Sequence, residues 1–500
     1  MKDLLQNKYL VSLVILVTVL SFGFTITNFS IGVDDPARTY YLYSSNQGSM
    51  IQQGRLLHVA FNYLTHSIQF IPFFTDFVGA ALYALSALLY CALFQYVTDR
   101  NLSSFSLISF CCVYISSSVL AEKYIYHLDV IVTILSYCCS AVALLYAYRF
   151  VKEKRMSLFL IASVVLMGAI ASYESFIFLY ICGVFGIFIL EIAINREKKT
   201  FMELLLEGIR YALILAAAAV AYYLLVYVVQ ILTAQYGIFI RYNYWTYNER
   251  GLMENLIHLT REFYQYFREA ITDRYLPVLV FCLFSAAGFG LAGYLSVRRK
   301  NVWLICCFAA LWLGNFAIHY AAGSFLTRAA QTFCFFTGFV LLLLIETCAS
   351  RAFFRKAMYA AVILLVFIQS ADMNRWFYND YVRYQKETFV LDTIATRLVA
   401  ECDVSKPVVF TNYPEFNYLD TELYPGRQVN GNSVIRWSID AFFDKTQPFV
   451  SELFRMHGYD FVERPTEEQY DRAHDEAESM PSWPQQGCIQ EFSDFIVVNF

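Results

Sequence analysis

Apolar runs of about 20 residues recur along this chain, and a run of that length is what an α-helix needs to cross the hydrocarbon core of a bilayer. About eleven fall near 9–29, 76–97, 103–120, 128–148, 157–171, 174–194, 209–232, 276–297, 302–320, 331–350 and 357–371. They predict a polytopic α-helical membrane protein. Composition agrees: 58% of the 500 residues are hydrophobic and only 16% charged, with a mean hydropathy of +0.47. A soluble chain carries roughly a quarter charged residues. The first run has Lys2 and Lys8 ahead of it and no small-residue cleavage site behind it, so it reads as a retained helix.

The fifth and sixth runs come from one long apolar stretch broken at Ser172-Tyr173-Glu174. With the N-terminus cytoplasmic, the inner connections hold Arg100, then Arg149, Lys152, Lys154 and Arg155, then Arg196, Lys198 and Lys199, then Arg298, Arg299 and Lys300, and finally Arg351, Arg355 and Lys356. Short basic inner loops are the expected bias, and the alternation holds only if the chain turns around at that break. The predicted topology is N-in, with 30–75, 121–127, 172–174, 233–276, 321–330 and everything after Asp372 outside. No Walker-type loop is present, so energy comes from an activated substrate or is not needed.

Two outer loops predict interfacial helices. The segment 36–53 is tyrosine-rich after a capping signal, and 251–271 spaces Leu252, Leu256, Leu259, Phe263 and Phe267 three to four residues apart. From about Val382 the composition turns soluble-like. A strand is expected at 406–411, a short helix at 445–457 and a hairpin of 488–492 with 495–499 turning at Ser493-Asp494. The chain thus divides into a membrane part, 1–381, and a small extracytoplasmic α/β part, 382–500.

Of the 13 cysteines, most lie inside apolar runs, several as neighbours; adjacent positions on a helix point about 100° apart, which suits packing and not a metal site. Cys402 and Cys488 lie outside and form a disulfide candidate if their compartment is oxidising. Histidine is scarce, with 7 residues, and no Ser-His-Asp order, zinc spacing or haem motif appears. Nothing points to nucleic acid.

The chemistry-bearing residues gather in the outer loops. Asp34 and Asp35 directly follow the first run, where acids are costly to keep without a use. Asp35 precedes Pro36 and suits a helix N-cap, which leaves Asp34 as the general-base candidate. Arg38 and Arg55 suit either non-specific headgroup contact or bidentate capture of a lipid-linked phosphate. Glu122 and Asp129, with Lys123 and His127 between them, occupy the second outer loop. Asp129 is either a helix-start acid or a second acid facing an acceptor or a metal ion. Glu174 either caps its turn or faces a polar cavity. His319, Arg328 and Gln331 form a third polar group, with Arg328 either a snorkelling arginine or a phosphate contact.

Asp34-Asp35 opening an outer loop that ends in Gly54-Arg55, Asp129 at the second outer loop, the Ser172-Tyr173-Glu174 turn, Arg328 after the ninth run and the ending Met480-Pro481-Ser482-Trp483-Pro484-Gln485-Gln486-Gly487 together resemble the glucosyltransferase II family of the GT-C superfamily. The turn carries Glu174 where the resemblance leads one to expect glutamine. The resemblance implies a GT-C-like fold in a bacterial cytoplasmic membrane. It also implies transfer of a sugar, glucose first, from a polyprenyl-phosphate donor to a cell-surface glycan. In that reading Asp34 and Asp35 are the catalytic acids, Glu122, Asp129 and Glu174 secondary acids near the acceptor, and Arg38, Arg55, Arg328, His319 and Gln331 contacts to the donor phosphate. It names no certain cofactor and leaves Mg or Mn dependence open. Rival readings are a lipid-linked sugar flippase, which needs charges near mid-span and internal repeats, and a glycan polymerase or ligase, which suits the arginines of loop 233–276. A non-catalytic assembly protein, to which the outer acids are dispensable, is a third.

Overall fold

Each apolar run has become a helix, as lipid demands of a backbone that finds no water to bond with. The computed structural model describes residues 4, 6–33, 35–36, 43–65, 72–124, 126–235, 252–272, 275–322, 330–348, 352–412, 433–440 and 444–500. Its helices are α1 (Lys8–Thr27), α2 (Tyr43–Gln52), α3 (Leu56–Thr65), α4 (Pro72–Val97), α5 (Ser104–Ile115), α6 (Val130–Glu153) and α7 (Met156–Ile170). There follow α8 (Phe176–Ala193), α9 (Phe201–Thr233), α10 (Leu252–Thr272), α11 (Leu276–Arg299), α12 (Trp303–Ala322), α13 (Thr332–Cys348) and α14 (Ala352–Glu401). A helix thus sits at each of the eleven expected positions. Among the described residues, nine helices are long and apolar enough to span a bilayer, whereas α7 and α13, with 15 and 17 residues, are shorter apolar helices.

The break at 172–174 is present: α7 stops at Ile170, the chain turns, and Ser136 on α6 donates to Ser172 Oγ at 2.6 Å to pin the corner. The helices pack closely where glycine lets them; a Cβ on Gly183 of α8 would lie 2.2 Å from Leu144 Cδ1 of α6. One core runs through the bundle, dense in aromatic contacts such as the Tyr83–Tyr114 stack at 4.7 Å.

The two ends of the bundle differ in polarity. At one end Lys152 meets Glu191 at 2.6 Å, and Lys199 pairs with Glu191 and Glu207, all on or beside α6, α8 and α9. The other end carries the loops after α1, α5 and α7, together with the far half of α14. There α10 lies with Leu259 and Phe263 buried and Met253 and Tyr264 exposed, Phe263 stacking on Tyr320 of α12 at 4.9 Å. Of the expected 36–53 helix, α2 falls within the described residues.

With 50 residues at about 1.5 Å rise each, α14 is roughly 75 Å long and carries the chain from bundle to C-terminal unit without interruption. Position 382, where the composition changes, therefore lies inside a continuous helix. Beyond it lie β1 (Val408–Thr411), α15 (Val434–Asp440), α16 (Pro448–Met456), α17 (Glu467–Ala477), β2 (Ile489–Glu491) and β3 (Ile496–Asn499). The sheet order is β1-β3-β2, with β1 and β3 parallel (Val408 opposite Ile496) and β2 and β3 antiparallel (Ile489 opposite Val498). Side chains alternate between faces along a strand, so Val408, Phe410, Ile496 and Val498 pack toward α14 and α16 while Val409 and Val497 pack under α17. Burial on both faces explains why these strands read as unbroken apolar runs. Helix α16 starts at Pro448, later than the expected 445, because Asp444 to Gln447 form a turn in which Asp444 accepts from Thr446 N–H at 2.9 Å. Cys402 and Cys488 are both free thiols.

Candidate active site

The loop that leaves α1 is held by contacts from several elements. Asn28 ends the helix by donating Nδ2 back to the Phe24 carbonyl at 2.9 Å. Ser30 Oγ then bonds His127 Nε2 at 3.1 Å, and Ile31 C=O accepts from Arg383 Nη2 of α14 at 2.8 Å. Asp35 is 1% exposed and folds back on its own loop, its Oδ2 accepting from Gly32 N–H at 2.7 Å. Any cap that Asp35 supplies to a following helix involves residues 37–42, outside those described. Asp34, Arg38 and Arg328 are likewise outside the described residues.

Behind this loop stands a buried acid that sequence reasoning passed over. Asp76, in the first turns of α4, accepts from Thr25 of α1 at 3.0 Å and bonds His127 Nδ1 at 3.0 Å. Asp76, His127 and Ser30 therefore form a continuous chain of side chains. Burial disfavours a charged imidazole, but the Asp76 carboxylate and its hydrogen bond outweigh it, with smaller help from Asp35 and Asp380, and His127 is pushed up to about 9. As an imidazolium it donates from both nitrogens, to Asp76 and to Ser30. An acid one turn into an apolar helix was the available signal.

A second assembly joins three of the expected motifs. Gly54 adopts a positive φ of 74° to end α2, and Tyr222 of α9 shares its one hydroxyl proton between the Gly54 carbonyl at 3.2 Å and Glu174 Oε1 at 3.4 Å. Leu57 N–H donates to the Ala171 carbonyl at 3.0 Å, which fixes the Gly54-Arg55 corner against the α7–α8 turn. The Arg55 guanidinium lies 5.3 Å from the Tyr173 ring centre and Lys123 Nζ 4.3 Å from the same ring. Two cations thus share one aromatic platform beside Glu174. Desolvation by the protein around it raises the Glu174 carboxyl above its ordinary range, and the Tyr222 hydroxyl and Arg55 charge pull it back; the residue as a whole is nevertheless exposed. Asp129 pairs with His58 Nδ1 of α3 at 3.0 Å, and Glu122 is half-buried beside Lys123.

The third expected group is only partly visible. His319 is buried on α12 with Phe263 of α10 against it at 5.7 Å. Gln331, at the start of α13, is buried with neither end of its amide hydrogen-bonded among the described residues. No described contact joins either to Arg55 or Lys123. Among the described residues no three His, Cys, Asp or Glu side chains form a metal-holding group.

The sequence profile described as glucosyl transferase GtrII matches residues 23–369, which takes in the α1 loop, Asp76, His127 and the Arg55–Tyr173 assembly. The chain belongs to this GtrII family. The match stops on α14 before Arg383, so the sheet and its helices lie beyond it. Comparison with curated proteins and with solved structures gives no significant match. Membership makes glycosyl transfer by a membrane-spanning helical protein the family-level activity.

Proposed function

We propose that this GtrII-family chain moves a sugar, glucose first among candidates, from a polyprenyl-phosphate donor to a hydroxyl of a cell-surface glycan. The reaction takes place on the outer face of a bacterial cytoplasmic membrane, with the N-terminus inside and the sheet-bearing end outside. The observation that carries this reading is the pairing of Arg55 and Lys123 over the Tyr173 ring at the acidic end of the bundle. A donor phosphodiester carries one negative charge, and the released polyprenyl phosphate carries up to two. Cations beside it therefore favour bond breaking more than binding, which is what lowers a barrier.

In the transfer step the acceptor hydroxyl gives its proton to Asp34, its oxygen bonds the anomeric carbon, and the bond from that carbon to the phosphate oxygen breaks toward the phosphate. Asp35, buried in the same loop, orders the turn and adds negative potential that makes a neighbouring carboxylate more basic. Glu174, Asp129 and Glu122 supply acceptor contacts; Arg38, Arg328, His319 and Gln331 complete the donor side. A divalent ion is compatible with this reading and is not required by it.

The test is transfer of labelled glucose from polyprenyl-phosphate glucose to host surface glycan by the purified protein in liposomes. Asp34→Asn abolishes turnover and Arg55→Ala lowers it. Equal turnover by wild type and Asp34→Asn refutes the base, and absence of transfer from every polyprenyl-phosphate sugar refutes the donor class.

A further inference from the structure

The acidic loop belongs, in packing terms, to the C-terminal unit. Ile31 and Val33 are buried in the same core as Leu391 and Leu398 of α14 and Val408 and Phe410 of β1, more than 350 positions away in the chain. Polar contacts run the same way. Arg383 is 2% exposed and uses its whole fork: Nε and Nη2 reach Asp380 Oδ1 at 3.1 and 2.8 Å, Nη1 reaches Glu387 Oε2 at 2.6 Å, and Nη2 also holds the Ile31 carbonyl at 2.8 Å. Glu387 passes the link on, its Oε1 accepting from Val434 N–H at the start of α15 at 2.9 Å. From the bundle side, Ser30 is held by His127 at 3.1 Å.

We propose that the C-terminal α/β unit is a clamp on the catalytic loop, and that Arg383 is its positioning residue: it sets where Asp34 and Asp35 stand without touching substrate. This rests on the transfer reading above. A planar guanidinium that satisfies two carboxylates and one carbonyl at once has little freedom to shift, and two apolar anchors on the loop add a second constraint. Rigid placement of reacting groups is worth a large part of a rate enhancement, and about 1 Å of misplacement lowers turnover by up to about a hundredfold.

The full-length protein in nanodiscs tests this with Arg383→Met and, should that variant not fold, with Ile31→Ala, which removes an apolar anchor and leaves no acid unpaired. The readouts are kcat, donor KM and amide hydrogen exchange of the segment 29–36. The clamp predicts kcat lower by roughly 10- to 100-fold with donor KM within about twofold of wild type, and faster exchange in 29–36 than in the rest of the bundle. Wild-type kcat or wild-type exchange in that segment overturns it. If the wild-type protein transfers no sugar, the donor reading has failed, and the exchange arm alone still decides the clamp.

Discussion

Asp76→Asn removes one charge from the bundle with almost no change of shape, since the amide oxygen can still accept from His127 Nδ1. In the native chain His127 stands at about 9, against an ordinary 6.5. At about 1.36 kcal/mol for each tenfold step in proton affinity, that gap corresponds to about 3 kcal/mol. A histidine raised in the folded state contributes its stability fully below about pH 6.5 and loses it as pH rises through about 9. The variant, lacking the chief cause of the elevation, falls short of wild type by about 3 kcal/mol near pH 6 and approaches it near pH 10, apart from a constant hydrogen-bond difference. Unfolding by SDS in mixed micelles across that range measures both curves. Subtracting one from the other removes the titrations they share. A difference that stays constant with pH refutes the reasoning, because it means that His127 does not carry the charge that Asp76 is there to balance.

Other expectations follow from contacts elsewhere. Gly183→Ala drives a methyl against Leu144, itself buried, and should destabilise by roughly 1–3 kcal/mol in the same unfolding assay, while Gly168→Ala, whose Cβ meets nothing within 4 Å, should be neutral or mildly stabilising. Lys199→Met leaves Glu207 with only the longer 3.4 Å contact to Lys152 and should cost about 3–5 kcal/mol, with kcat of the folded fraction unchanged because this cluster lies at the opposite end from the acids. Tyr173→Leu removes the platform under Arg55 and Lys123 and should weaken the donor interaction by roughly 2- to 30-fold in kcat/KM, the range of cation–aromatic energies. An unchanged kcat/KM there argues against a phosphate at that position.

What was legible in the sequence was whatever depends on local pattern. Apolar length located the helices, the polar interruption at 172–174 located the turn, and Ser493-Asp494 between two apolar runs located the hairpin that β2 and β3 form. Gly54-Arg55 and Ser172-Tyr173-Glu174 were recognised separately, but that they meet is a property of packing, since nearly 120 residues separate them. Asp76 was hidden by its surroundings: a single acid at the edge of a long apolar run is absorbed into the span by any window average. Ile31 and Val33 fall in the expected outer loop 30–75, and nothing local shows that they are core residues of a unit encoded at the other end of the chain. The spacing of Asp380, Arg383 and Glu387, three and four residues apart on one helix, did carry a signal of mutual pairing, although nothing local says that the arginine also holds Ile31.

The two buried charge clusters tie different parts of the chain together. At the basic end Lys152 and Lys199 face Glu191 and Glu207, with Glu197 3.7 Å from Lys199, and Glu191 and Lys199 are buried. Opposite charges paired in this way hold α6, α8 and α9 in register. At the acidic end buried Asp76 bonds His127, buried Asp380 and Glu387 share Arg383, and buried Asp35 folds back on the loop between them. Those two cations, His127 and Arg383, also bond to the loop after α1 at Ser30 and Ile31, so the same side chains that pair with the buried acids tie that loop to α4 on one side and to α14 on the other.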